Sequence, residues 1–302
     1  GMAYAESAMA RGLAIDEFAP RISYFFGIHN DLFEEVAKFR AARRMWARIV
    51  KERYKAKSPD SMRMRFHTQT LGSTLVREGP KNNIARGALQ ALAAVLGGTQ
   101  SLHISGYDEA YDIPSEDAMG VSLATQLVIA HETSVANTVD PLAGSYFVES
   151  LTDSVEEKAW EYIHKIDEMG SGSMVNGMIA AIESGYIERA IANTAFEYQR
   201  TIESKERVIV GVNEYHAELE PLEQYEIDQE EEQGQLTRLK KVKSTRSGAD
   251  VEMALSDIKR TAEADQNLFP HVLHAIKASA TEGEVMGALR DVYGEHVDPG
   301  VF

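Results

Sequence analysis

Two short stretches of this chain hold most of the residues that could do chemistry. One is Arg65-Phe66-His67-Thr68-Gln69-Thr70; the other is Gly97-Gly98-Thr99-Gln100-Ser101-Leu102-His103. On a strand, His67 and Gln69 share one face and project together. An imidazole and an amide can orient a carbonyl or a carboxylate without adding charge. The plain alternative is that they pair with each other, or with Arg65, inside a polar core. In the second stretch, alternation sets Gln100 and Leu102 on one face and Ser101 and His103 on the other. Gln100 and His103 are therefore not expected at the same ligand atom.

Further candidates flank these two. Arg21 and Ser23 alternate at the start of another apolar run. A guanidinium and a hydroxyl on one face can bind phosphate, although a surface arginine at a strand entrance is the default reading of any single Arg. Asp108-Glu109 follows the second stretch and could accept hydrogen bonds from sugar hydroxyls, or could start a helix as an acidic turn. His164, His216, His271 and His274 lack the acidic spacing of a zinc site, so no metal is expected. Phosphate-binding and nucleophile-elbow signatures are absent from the sequence.

The elements that would position these groups can be read in order. Ile22 to Ile28 is a nearly continuous apolar run, as in a strand covered on both faces. A long helix is predicted from Asp31 to Tyr54, broken by Ser58-Pro59-Asp60. Met62 to Thr70 is predicted as the next strand, Ile84 to Leu96 as a helix capped by Asn82 and Asn83, and Thr99 to Ile104 as the third strand. Ser115 is a plausible cap for a helix reaching His131. This order fits a doubly wound sheet or a (β/α) barrel at roughly 40 residues per unit. Three strands make only part of an eight-stranded barrel. Residues 153–207 read as helical, Val208 to Val212 as one short strand, Glu218 to Glu232 as an acidic linker and 233–293 as a small helical region.

Composition sets outer limits. With 302 residues, 44% hydrophobic and 26% charged, the chain can build a sizeable globular core. There is no cysteine, which excludes disulfides, thiolate metal sites and a cysteine nucleophile. A formal net charge of −16 argues against nucleic-acid binding by a general basic surface. A local basic patch remains open, because Arg40, Arg43, Arg44, Arg48, Lys51, Arg53, Lys55 and Lys57 crowd one predicted helix. No apolar run suits a membrane span, and a cytoplasmic location is expected.

Seven segments together resemble a known family. They are 18–26, 37–46, 65–70, 82–86, 93–103, Asp140-Pro141-Leu142-Ala143-Gly144-Ser145-Tyr146 and Val208-Ile209-Val210-Gly211-Val212-Asn213. In order, they are similar to the large subunit of adenosylcobalamin-dependent methylmalonyl-CoA mutase, through nearly the whole chain. The resemblance implies an α/β fold: the last three or so units of a TIM (β/α)8 barrel over residues 1–150. A mainly helical linker and subunit-contact region over 151–302 would follow. It implies that acyl-CoA threads the barrel and that a radical 1,2-rearrangement starts from the cobalt–carbon bond of adenosylcobalamin.

Residue by residue, the resemblance implies that Arg21 and Ser23 bind coenzyme A phosphates. It implies that His67, Gln69 and Gln100 line the substrate channel, with His67 and Gln69 at the reacting acyl group, and that Glu109 and Ala110 contact cobalamin. The family's D-x-H-x-x-G motif occurs nowhere in the sequence, and the strands that carry the malonyl-carboxylate ligands would precede this stretch. The expected partners are therefore a chain supplying the N-terminal part of the barrel and a cobalamin-binding subunit, in an oligomer that this chain needs for activity. Ile104-Ser105-Gly106-Tyr107 and Ala143 differ from the commonest versions, so isobutyryl-, ethylmalonyl- and hydroxyisobutyryl-CoA stay open as substrates. A non-catalytic assembly module is the reading from another class.

Overall fold

A computed structural model describes residues 1–216 and 228–297. The chain divides near residue 225 into two compact units. In the first, α1 (Met2–Ala10) and α2 (Ile15–Phe18) precede β1 (Ser23–Ile28). Next come α3 (Leu32–Arg48), α4 (Pro59–Met62), β2 (Arg65–Thr70), α5 (Asn82–Leu96), β3 (Ser101–His103) and α6 (Glu116–Glu132). The unit continues with α7 (Tyr146–Met169), α8 (Met174–Glu183) and α9 (Tyr186–Glu203). The three strands form one parallel sheet in the order β1-β2-β3. Phe25 lies opposite His67, and His67 opposite Ser101; Gly27 lies opposite Gln69, and Gln69 opposite His103.

The sheet has one covered and one open face, and residue alternation decides which is which. Phe66, Thr68 and Thr70 are buried, while Arg65 is exposed and His67 and Gln69 are half-buried. On the covered face Phe26, Phe39 and Phe66 pack as a cluster, with ring centroids 5.0 to 5.7 Å apart. Val36 of α3 and the small Ala93 and Ala94 of α5 let both helices lie close against it. Edge-to-face and offset aromatic contacts of this kind add to simple area burial.

Several element boundaries differ from the sequence expectations for local reasons. Helix α3 ends at Arg48 and passes into a π-helical turn, Ile49–Arg53, closed by the Tyr54 amide donating to the Ile49 carbonyl at 3.2 Å. Ser58 caps α4 through Asp60, with Pro59 at the first helical position, and this takes Met62 out of β2. Strand β3 keeps only three residues because side chains replace main-chain partners at both its ends. The Gln100 amide oxygen takes the Phe66 N–H at 2.8 Å, and the Thr70 hydroxyl takes the Ser105 N–H at 2.8 Å. Val208 to Val212 is not a strand. Val210 makes an isolated bridge to Glu214, and the Asn213 side chain folds the segment into a turn through Ile209, Ile202 and Arg207.

The arginine-rich helix is not a free basic patch. Arg40 pairs with Asp140 and Glu149, Arg44 with Asp153 and Glu156, Arg48 with Glu156, and Arg53 with Glu6 and Asp167. At i, i+4 and i+8 the first three arginines line one stripe of α3, and α7 presents a matching acidic stripe. Arg43 donates to the Gly97 carbonyl.

The second unit contains α10 (Gln229–Thr245), α11 (Gly248–Glu263), α12 (Phe269–Lys277) and α13 (Glu282–Tyr293). Val251, Ala254, Ile258, Ala275, Val285 and Ala288 form its core. Thr281 and Glu284 make a capping box, and Arg246 holds the same carboxylate at the start of α13. Of the acidic stretch expected as a linker, residues 218–227 lie outside the described residues, while Glu230, Glu231 and Glu232 fill the first turn of α10. Among the described residues, no helix is long and apolar enough to cross a membrane.

Candidate functional site

The open face of the sheet carries the candidate residues, and parallel register arranges them from one strand end to the other. At the N-terminal end, Arg21 closes a short 3-10 turn and Ser23 opens β1; both are exposed. Arg65 stands opposite Ser23 and donates from Nη1 to the Pro20 carbonyl at 2.9 Å. The middle row is Phe25, His67 and Ser101. Gln69 and His103 stand beside each other in the next row, toward the C-terminal end. Ser23 and Gly27, in the first and last of these rows, are four strand steps apart, a span of about 13 Å.

His67 is the best-anchored of these groups. Its Nδ1 lies 2.7 Å from the Ser101 hydroxyl, and its ring lies 4.7 Å from that of Phe25 between centroids. Gln69 makes no side-chain hydrogen bond to another described residue, so its amide is available to a ligand. Gln100 is placed differently. It precedes β3 at the N-terminal end, accepts from the Phe66 N–H and donates to the Gly98 carbonyl at 2.6 Å. Its amide is thus occupied by main chain. Sequence alternation correctly separates it from Ser101 and His103, and it is His103 that joins the His67 and Gln69 face.

The C-terminal end of the sheet is shaped by loops. Glu109 and Ala110 follow β3 in a turn and are half-buried. The Glu109 carboxylate packs directly over Gly72, in the loop after β2, where a Cβ would collide with it. Asp108 serves its own loop: one carboxylate oxygen accepts from the Ser115 N–H at 2.9 Å, at the start of α6. Its other oxygen is buried without a partner among the described residues. Beneath, the fully buried Gln90 donates to Asn30 after β1 and to Thr74 after β2, at 2.6 and 2.7 Å. It ties the two loop bases together.

Sequence reasoning missed Phe25, Ser101 and His29. The first two needed the inter-strand register, although extending the Arg21–Ser23 alternation by two residues would have put Phe25 on the same face. His29 follows β1 with its ring 5.6 Å from Tyr198, and burial holds it below the ordinary histidine value. It lines a mainly apolar cavity of about 860 Å³ with Leu71, Ser73, Tyr162, Ile191 and Tyr198. Among the described residues, no cluster of three metal-ligating side chains forms.

Residues 1–295 match the family model described as methylmalonyl-CoA mutase. The chain is 41% identical over 302 residues to the 2-hydroxyisobutanoyl-CoA mutase large subunit of Aquincola tertiaricarbonis, covering 99% of this chain and 53% of that one. It is 42% identical over 298 residues to the methylmalonyl-CoA mutase of Cereibacter sphaeroides, covering 98% of this chain and 41% of the relative. With the Escherichia coli methylmalonyl-CoA mutase the identity is 40% over 301 residues, covering 99% and 41%. The chain therefore spans about half, or less, of the length of these relatives.

Proposed function

This chain belongs to the methylmalonyl-CoA mutase family, and on that premise we propose that it forms one wall of an adenosylcobalamin-dependent acyl-CoA mutase. The reaction is the interconversion of methylmalonyl-CoA and succinyl-CoA, an isomerisation that needs no other reactant. The observation that carries this reading is the open sheet face. Its polar groups run from Ser23, with Arg21 in the turn before it, through His67 and Gln69, toward the loop after β3 that sets Glu109 against Gly72. In this reading the sheet is the last three strands of a TIM barrel, within residues 1–150. Residues 151–302 serve as a helical linker and subunit-contact region.

Each residue has a role that its position supports. Arg21 and Ser23 take coenzyme A phosphates at the N-terminal end, where both are exposed. Gln100 borders the same end, and its bonds to Phe66 and Gly98 hold the channel wall. His67 and Gln69 hydrogen-bond the acyl group, orienting it without a strong acid or base nearby. The bare Gly72 backbone beside Glu109, with small Ala110 next to it, suits a broad flat ring system at the C-terminal end. Glu109 and Ala110 would hold the cobalamin there. When bound, that group supplies the radical by homolysis of its cobalt–carbon bond. The chain's own contribution is binding, orientation and exclusion of water.

The wall is incomplete as described: β1 and β3 each keep one edge without a strand neighbour among the described residues. Unpaired edges favour added strands. This supports completion of the site by further barrel strands and by a cobalamin-binding domain, whether these belong to the same polypeptide or to partners in an oligomer. The test mixes this chain with such partners, adenosylcobalamin and methylmalonyl-CoA, and follows succinyl-CoA. Turnover by residues 1–302 alone would overturn the reading that the site needs those further parts. A second substrate is favoured by one finding, the 41% identity to a 2-hydroxyisobutanoyl-CoA mutase large subunit. Consumption of 2-hydroxyisobutanoyl-CoA and not of methylmalonyl-CoA in the same assay would select it.

A further inference from the structure

The middle row of the open face holds His67 between two in-register neighbours. On one side the Phe25 ring leans against the imidazole at 4.7 Å and 43°. On the other, the Ser101 hydroxyl meets Nδ1 at 2.7 Å. Ser101 is a strand residue, so its Cβ direction is set by the pleat, and its main chain is anchored by pairing with His67. The hydroxyl has no other hydrogen bond to a described residue. A neutral imidazole has one donor and one acceptor nitrogen, and the partner of one nitrogen decides what the other can do.

We propose that Ser101 is a positioning residue: its hydroxyl donates to Nδ1 of His67 and so presents Nε2–H, off the open sheet face, as a donor to a thioester carbonyl oxygen. This deepens the acyl-CoA mutase reading and rests on it for the identity of the acceptor. Two points favour donation by Ser101 over the reverse. A serine hydroxyl can rotate its proton toward any acceptor in reach. The opposite tautomer would turn Nε2 into an acceptor facing a substrate whose oxygens are acceptors as well. The Phe25 contact restricts the ring on its other side, so the imidazole is held as well as polarised.

The test is tautomer-sensitive proton–nitrogen correlation NMR on the full chain at pH 8, above the ordinary histidine value of about 6.5. His67 signals are assigned by their loss in His67→Gln. The expected result is the Nε2–H tautomer in the unchanged chain. In Ser101→Ala the ratio of Nε2–H to Nδ1–H should fall roughly fivefold, the worth of one ordinary hydrogen bond. Ser101→Thr keeps the hydroxyl on a strand-compatible residue and should restore the ratio. An Nδ1–H tautomer in the unchanged chain, which needs no variant to observe, overturns the proposal; so does an unchanged ratio in Ser101→Ala. Calorimetry with coenzyme A on the assembled complex separates the two readings. Absence of binding within the assembled complex would count against the functional reading, while the NMR result decides the role of Ser101.

Discussion

The Arg40 guanidinium on α3 is held by the Glu149 carboxylate on α7 at 2.7 Å, while Asp140 and Thr152 take its remaining donors at 3.0 to 3.3 Å. The Arg40 side chain is only 11% exposed. The sheet's covered face packs on α3, so this clamp joins the site's scaffold to the helical layer outside it.

Arg40→Ala should therefore cost more than a surface ion pair does. Removing the mostly buried guanidinium takes the donor away from the half-exposed Asp140 and Glu149 carboxylates and the buried Thr152 hydroxyl, and loses the packing of its stem. A loss of about 2 kcal/mol is expected, read as a lower denaturant midpoint at unchanged slope. A loss below half a kcal/mol would show that α7 is held by other contacts.

Acid stability should depend on the same pair. The Arg40 hydrogen bonds, and then the Gly144 N–H, hold the Glu149 carboxyl down to about 2. A depressed carboxyl stabilises the fold above its ordinary value of about 4.3, and that contribution is lost as pH falls toward about 2. Thermal unfolding followed from pH 6 to pH 2.5 should show this acid limb. Glu149→Gln, which has no carboxyl to titrate, should start lower at pH 6 and lose less on acidification.

Arg21→Ala should weaken coenzyme A binding in the assembled complex about tenfold, since one charge-assisted contact is worth roughly 1.5 kcal/mol. Arg21 is exposed, so the melting temperature should stay within about a degree or two. Calorimetry and a melting curve on the same sample read both. Equal affinity in the variant would remove Arg21 from the phosphate site.

Gly72→Ala places a methyl group where the Glu109 carboxylate now sits. That carboxylate is the far end of a flexible side chain and can swing aside, so folding should change little. Adenosylcobalamin retention by the assembled complex should fall severalfold, while coenzyme A affinity stays the same. Loss of both affinities together would point to a general collapse of the loop.

Much of the site was legible in the residues themselves. Period-two alternation placed His67 with Gln69 and separated Gln100 from Ser101 and His103, because a strand's pleat is a local property. Family-like segments spread along the whole chain carried the mutase reading from the residues alone. The same local rules misjudged β3 at its ends and Val208 to Val212 throughout. There, side chains of Gln100, Thr70 and Asn213 compete with main chain for hydrogen bonds.

What the sequence determined by itself is the set of elements and the face each polar group shares with its strand neighbours. Tertiary structure decided the groupings across elements. Parallel register, which no single strand encodes, put Phe25, His67 and Ser101 in one row and brought His103 beside Gln69. Packing of α7 on α3 turned an apparent basic patch into an ion-paired seam, because Arg40, Arg44 and Arg48 meet acids more than 90 residues away in sequence. Those contacts exist only once the chain has closed loops of that length, so a local reading of the arginines could not find their partners.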